Sequence, residues 1–274
     1  MNTNYTPSLG RHRRALSTTF GFLLAGAMLY TANASAAVIY ADDFSGAAGT
    51  ALNGLAPDVR SGTDGGSSSA VWSADAQFTL NGSGFVTVPD NGGNSSLLTA
   101  VLPFTPTTGN IYTLKVDINP TNAASGSNYL GFGFTSSLAT SRSDSSTFAP
   151  WVRYQPNGAG TAYGNHVLNA FDPFGTAGST SDPMRFTLTL NTTTTLWSVT
   201  LDALNLTTSV MTSGSYTYTT NPTISGIFLE KVIYGGTFAN FELATVPEPS
   251  AIALAALGLA IVGWKVRVRK LAKV

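Results

Sequence analysis

The sequence predicts an all-β fold, an antiparallel sandwich of about thirteen short strands. Three observations carry this. Between Ala37 and Thr245 no stretch has helical periodicity. Short β-branched and aromatic runs there alternate with clusters of Gly, Asn, Asp, Ser and Pro. Two adjacent segments also alternate with period two: Phe186, Leu188 and Leu190 lie opposite Thr187 and Thr189, and Trp197, Val199 and Leu201 lie opposite Leu196, Ser198 and Thr200. A strand buried on one face and wet on the other suits an antiparallel sandwich rather than a parallel α/β sheet.

In chain order, Val38–Tyr40 opens the body, and the short runs Val71–Ser73, Phe78–Leu80 and Phe85–Val88 follow between turn residues. Leu97–Leu102, Ile111–Ile118 and Tyr129–Phe134 are longer apolar or β-branched segments. Trp151–Tyr154, Met184–Leu190, Leu196–Leu201, Ser209–Met211, Ile227–Val232 and Thr237–Leu243 complete the set. Asn191 to Thr195 reads as a hairpin connection. The Gly-rich stretches Leu52–Ala70, Ser136–Ala149 and Gly158–Ser181 read as loops.

Charge divides the chain into unlike parts. Its 274 residues hold 14 Lys+Arg and 14 Asp+Glu, but residues 37–246 carry six basic against thirteen acidic, a net of −7. An acidic body rich in Thr, Ser and Gly lacks the basic face a nucleic-acid binder needs. The absence of cysteine excludes disulfides, thiolate metal sites and a cysteine nucleophile.

Residues 1–36 carry Arg11, Arg13 and Arg14, an apolar run from Ala15 to Leu29, and Ala34-Ser35-Ala36. This is the layout of a secretory signal peptide with cleavage after Ala36. At the other end Pro247-Glu248-Pro249 precedes an apolar run from Ala251 to Trp264, then Lys265, Arg267, Arg269, Lys270 and Lys273. As a helix the run is roughly 21 Å long, a short transmembrane anchor that Val266, Val268 and snorkelling basic side chains extend over residues 250–268. The basic cluster is expected to stay cytoplasmic, leaving residues 37–246 outside.

Pro247-Glu248-Pro249, the short apolar helix and the basic end, in that order, resemble the PEP-CTERM sorting tail of exported bacterial proteins. The resemblance covers residues 247–274 and implies processing by an exosortase, a membrane transpeptidase-like enzyme. It also implies an association with exopolysaccharide. A second resemblance spans the body. Tyr40-Ala-Asp-Asp-Phe44, Gly49-Thr-Ala-Leu-Asn-Gly54, Trp72 and the final Tyr234-Gly-Gly-Thr-Phe-Ala-Asn-Phe-Glu-Leu243 resemble concanavalin-A-like, LamG-type jelly rolls. That likeness implies a jelly-roll sandwich whose first and last strands pair.

For catalysis the body offers little. Glycoside hydrolysis needs two carboxylates flanking the bond, and the Glu-x-Asp-x-(x)-Glu pattern of the concanavalin-like glucanases does not occur. The body's two glutamates are Glu230 and Glu242, and its lone histidine, His166, sits in a Gly/Asn loop. Calcium, which takes oxygen ligands, has a foothold. If the terminal strands pair, Asp42 and Asp43 meet Asn240 and Glu242. For ligand binding, Trp151 and Arg153 share one strand face, with Val152 and Tyr154 on the other. Trp151 beside Arg153 and Tyr154 is either an aromatic plate for sugar or part of the core. Gly131-Phe132-Gly133-Phe134 lets a neighbouring side chain or ligand approach the sheet.

Together these readings give an exported, non-catalytic surface or extracellular-matrix protein that binds polysaccharide. The alternative is a carbohydrate-active enzyme whose carboxylates follow no familiar pattern.

Overall fold

The computed structural model describes residues 36–90, 97–121, 129–142, 145–165, 168–171 and 182–246. The strands are β1 (Ala37–Asp42), β2 (Val59–Arg60), β3 (Ser73–Ala74), β4 (Thr79–Leu80), β5 (Val86–Val88) and β6 (Leu97–Pro103). Next come β7 (Ile111–Pro120), β8 (Tyr129–Thr135), β9 (Ser141–Arg142), β10 (Phe148–Tyr154), β11 (Gly160–Asn165) and β12 (Leu168–Ala170). The last are β13 (Met184–Asn191), β14 (Ser198–Asn205), β15 (Met211–Thr217), β16 (Gly226–Val232) and β17 (Gly236–Val246).

They form two sheets in which every pairing among the described residues is antiparallel. The first runs β15-β14-β13-β7-β17-β1-β2, with the β4–β5 pair joined through β5 to β17. The second runs β12-β11-β10-β8-β16-β6-β3, with β9 on β6. β17 is paired on both edges. β7 lies along one, while the other takes β5 at Gly236–Phe238 and β1 at Phe241–Thr245. The change of partner falls at a bulge, where three residues of β17 advance against two of β7 and Asn240 takes φ +50°.

The sheets pack face to face through the apolar half of each alternation. Along β13, Met184, Phe186, Leu188 and Leu190 are buried and the residues between them half-buried. Phe186 meets Phe132 of the opposite sheet at 5.8 Å and the Tyr154 ring edge-on at 5.5 Å. Val199, Leu201 and Ala203 of β14 continue the same layer. The hairpin expected at Asn191 to Thr195 is present, with Asn191 opposite Ser198.

The second sheet is buried on both faces. Its outer side carries a separate cluster of Leu97, Val101, Tyr129, Phe148, Trp151, Tyr163, Phe228 and Val232. Gly131 and Gly133 of β8 make room for it. A Cβ at Gly133 would lie 2.4 Å from the Pro150 carbonyl oxygen and 2.6 Å from the Trp151 Cα. The close approach expected at these glycines is thus that of the neighbouring strand β10.

Each expected strand has a counterpart, and four strands fall where loops were expected. β2, β9, β11 and β12 are short or built of small residues, and pairing partners rather than an apolar pattern hold them. β11 lies along β10 with Tyr163 opposite Trp151. The strand expected at Ser209–Met211 instead spans Met211–Thr217, because it is wet on one face and half-buried on the other and so lacks apolar alternation. Trp197 falls just outside β14. No helix among the described residues is long and apolar enough to cross a membrane. The expected signal segment 1–36, apart from Ala36, and the anchor 250–268 lie outside the described residues.

The two faces of β13 set an expectation for stability. Leu188→Ala, which empties a fully buried site, should cost about 2–5 kcal/mol. Thr189→Ala on the wet face should stay within about 0.5 kcal/mol. Urea titrations of both variants against wild type check this.

Candidate functional site

The site begins where the two ends of the body meet. β1 pairs with β17 so that Ala41 lies opposite Glu242 and Asp42 opposite Phe241, which is the terminal pairing the jelly-roll resemblance implies. β2 pairs on the other edge of β1, with Val59 opposite Ala41, and this carries Asp58 to Asp43. Oxygens of Asp42, Asp43 and Asp58 then lie within 4.8 Å of one another.

The three carboxylates differ in setting. Asp42 points inward and is 7% exposed. Its Oδ2 accepts from Trp72 Nε1 at 2.7 Å and its Oδ1 from the Phe44 N–H at 2.8 Å. Trp72 packs edge-on against Phe241 at 5.0 Å, so the carboxylate sits against an aromatic wall. Burial pushes the Asp42 pKa up to about 6; the Trp72 and Phe44 hydrogen bonds oppose that shift, and the charges of Asp58 and Asp43 add to it. Asp43 is exposed, and hydrogen bonds from Ser45 hold its carboxyl below the usual range. The Asp43 N–H donates to Asp58 Oδ2 at 2.8 Å, tying the two loops together.

Asn240 and Glu242 line the same groove, of about 300 Å³, but their side chains are engaged elsewhere. Glu242 Oε1 accepts from Lys115 Nζ at 2.9 Å. Asn240 Nδ2 donates to Asp117 Oδ2 at 2.7 Å, and Arg185 grips the same carboxylate through Nε at 2.7 Å and its terminal nitrogen at 2.8 Å. Of the expected calcium set, Asp42 and Asp43 come together with Asp58, while Asn240 and Glu242 line the same groove, Asn240 Nδ2 on Asp117 and Glu242 on Lys115. Asp58 reads in sequence as a turn residue, since only the β1–β2 pairing shows where it goes. The oxygen donors and their spacing fit calcium, whose ligands sit about 2.3–2.6 Å from the ion and so up to roughly 5 Å apart across it.

Of the two readings open for Trp151, the sugar platform gives way to burial. Trp151 is 1% exposed, stacked on Tyr163 at 5.0 Å and edge-on to Phe148 at 5.4 Å, so it offers no open ring face. Tyr154 points to the interior and donates from its hydroxyl to the Asp182 carbonyl at 2.6 Å. Arg153 does share the outer side with Trp151. Its guanidinium lies 5.6 Å from the rings of both Tyr129 and Tyr163. Across the sheet from Arg153 comes Gly131 and then Glu230, which is fully buried. Burial and the Glu230 charge both push the Tyr129 hydroxyl pKa up. His166 and the sorting residues Pro247, Glu248 and Pro249 lie outside the described residues.

The raised pKa of Asp42 fixes a pH dependence. The folded state keeps the Asp42 proton to about pH 6, whereas the unfolded chain releases it near 3.9. Stability from this group is therefore complete below about pH 4 and is lost as pH rises to about 6. Melting temperatures measured in EDTA should show that decline in wild type, with a smaller one in Asp42→Asn. Equal slopes would assign the decline to another group.

Solved structures similar to this chain include an endo-1,3-β-glucanase from Streptomyces sioyaensis, at 13% identity over 77% of this chain and 96% of that one, with a TM-score of 0.48. Winged bean acidic lectin, complexed with methyl-α-D-galactose, is similar at 10% identity, covering 66% and 93% of the two chains, with a TM-score of 0.47. The exoplasmic/lumenal domain of VIP36 in its Ca2+/Man3GlcNAc-bound form gives 10%, 64% and 84%, with a TM-score of 0.46. No curated protein matches the sequence. Residues 245–270 match the family described as the PEP-CTERM protein-sorting motif, so this chain carries that motif at the end of its β-sandwich body.

Proposed function

We propose that this chain is an exported, non-catalytic surface or extracellular-matrix protein that binds polysaccharide, delivered through its tail by an exosortase-type membrane enzyme. The observation that carries the reading is the sorting motif at residues 245–270, which begins in the last two residues of β17. The N-terminal signal layout and the basic C-terminal residues support one orientation, with the jelly-roll body outside. Prolines 247 and 249 disfavour helix in the residues before them, a sequence feature that suits recognition by a processing enzyme.

The placement of the glutamates supports a non-catalytic role. Glu230 faces the outer side of the second sheet, with Phe228 and Val232. Glu242 faces the outer side of the first, where it meets Lys115. They stand on opposite faces of the sandwich and cannot flank one glycosidic bond. Polysaccharide binding draws support from the first sheet's polar face, where Thr187 lies opposite Lys115 of the groove and Thr189 pairs with Thr113 on one side and Thr200 on the other, on the face that also carries Arg185. Hydroxyls and basic side chains of this kind hydrogen-bond sugar hydroxyls. In this reading Asp42, Asp43 and Asp58 hold a structural calcium that ties β1 to β2.

Two outcomes are expected. Changing Pro247, Glu248 and Pro249 to alanine should leave residues 250–274 attached in cells that carry the processing enzyme, as mass spectrometry of the C-terminus would show. A wild type that also keeps its tail there would make the segment a plain anchor. On a glycan array the protein should bind polysaccharide more strongly with calcium than with EDTA, without releasing reducing ends. Absence of binding would leave a scaffold role, and release of reducing ends would make the protein an enzyme.

A further inference from the structure

A second groove, of about 310 Å³, opens on the outer face of the first sheet, and Asn240 lines both it and the groove of the acidic cluster. None of Asp42, Asp43 and Asp58 reaches it. Strand pairing builds it as one row. Ala239 lies opposite Asp117, Asp117 opposite Arg185, and Arg185 opposite Leu204. Phe85 stands one residue before Val86, the partner of Phe238, and so comes beside Ala239. Ala239 is thus a small floor residue between an aromatic ring and a carboxylate.

Both walls are apolar and open to solvent, Phe85 being 38% exposed and Leu206 40%. Each is held by its own backbone. The Phe85 N–H donates to Asn81 Oδ1 at 3.2 Å, and its carbonyl accepts from the Asn81 N–H at 3.0 Å. The Leu206 N–H donates to the Pro183 carbonyl at 2.9 Å, and the Thr207 N–H that follows donates to Asn205 Oδ1 at 2.8 Å. The floor is polar without net charge. Asp117, 9% exposed, is met by Arg185 through two hydrogen bonds and by Asn240 Nδ2. The bulge in β17 sets Asn240 at φ +50°, and Asn119 and Thr237 add an amide and a hydroxyl beside it.

We propose that this groove holds one neutral pyranose ring of a polysaccharide, stacked on Phe85. The proposal rests on the polysaccharide reading above and gives it a place on the molecule. A pyranose ring has apolar C–H faces and a rim of hydroxyls, so it matches an exposed aromatic ring beside amides and a hydroxyl. An acyl chain or an apolar side chain would suit the walls but would cover the floor's polar groups without satisfying them, which is costly. A uronate or an amino sugar would find Asp117 and Arg185 already neutralising each other. The volume is at the small end of ligand pockets, enough for a single ring. Walls fixed before binding lower the cost of ordering.

The test uses the full-length chain in a detergent without a sugar headgroup, with calcium present, on immobilised neutral glucan, galactan and mannan, a polyuronate and a polymer of amino sugars. Wild type should bind a neutral polymer, and Phe85→Ala should weaken that binding about tenfold or more. Phe85→Trp keeps an aromatic ring and should restore it, and the emission this variant adds should shift when the polymer saturates the protein. Thermal melts accompany both variants, and if Phe85→Ala unfolds early the emission of Phe85→Trp decides the case. A wild type that binds no polysaccharide overturns the broader reading and this one with it. Binding undiminished in a folded Phe85→Ala, retention of charged polymers alone, or Phe85→Trp emission that is unmoved by bound polymer or answers only to a fatty acid would each overturn this proposal and leave polysaccharide binding elsewhere on the body.

Discussion

The structure depends on the pairing of β17 with β1 and β7. β17 is the last strand described, yet it lies inside the first sheet, hydrogen-bonded to β7 on one edge and to β1 and β5 on the other. Without it, β1 and β2 have no connection to β7, and the carboxylates of Asp42, Asp43 and Asp58 have nothing to hold their strands in place. Contacts between segments so far apart in sequence make loop closure costly and folding slow. The sheet is complete only when the C-terminal strand is available, so the body folds as a unit rather than progressively from its N-terminus.

The central strands were legible in the sequence because their burial is one-sided. The alternation of Phe186, Leu188 and Leu190 with threonines describes β13 without further information. Strands held by their neighbours instead of by an apolar stripe were not legible: Gly160 to Asn165 become β11 because β10 lies alongside. For the site, the meeting of the terminal strands was legible through resemblance, and Asp42 and Asp43 with it. Asp58 was not, since its position depends on a two-residue strand with no sequence signature. Trp151, left between a sugar plate and the core by the sequence, is decided by a related effect. A residue facing away from the inter-sheet core is expected to be wet, but the second sheet carries an apolar cluster on its outer side as well.

Glu230 and Lys231 show what burying both faces of a sheet entails. Adjacent in β16, they project to opposite sides, and both are fully buried. Lys231 Nζ donates to Gln77 Oε1 and to the Pro89 carbonyl, and burial lowers its pKa. Removing charged groups from water costs several kcal/mol each before partners compensate. Such positions favour one register strongly, since a slip of one residue would exchange a buried acid for a buried base.

The place of β17 within its sheet also determines how the body bears load. Val246, where the described body ends, continues directly from a strand flanked on both sides, with Ile111 opposite Val246 and Ala37 opposite Thr245. Antiparallel hydrogen bonds run perpendicular to the strands. Tension applied along β17 through its C-terminal end therefore shears both ladders together, whereas the same tension on an edge strand could open one bond at a time. A body tethered by that end yields only when many bonds fail at once, which makes it mechanically stiff along the direction in which a surface attachment would pull.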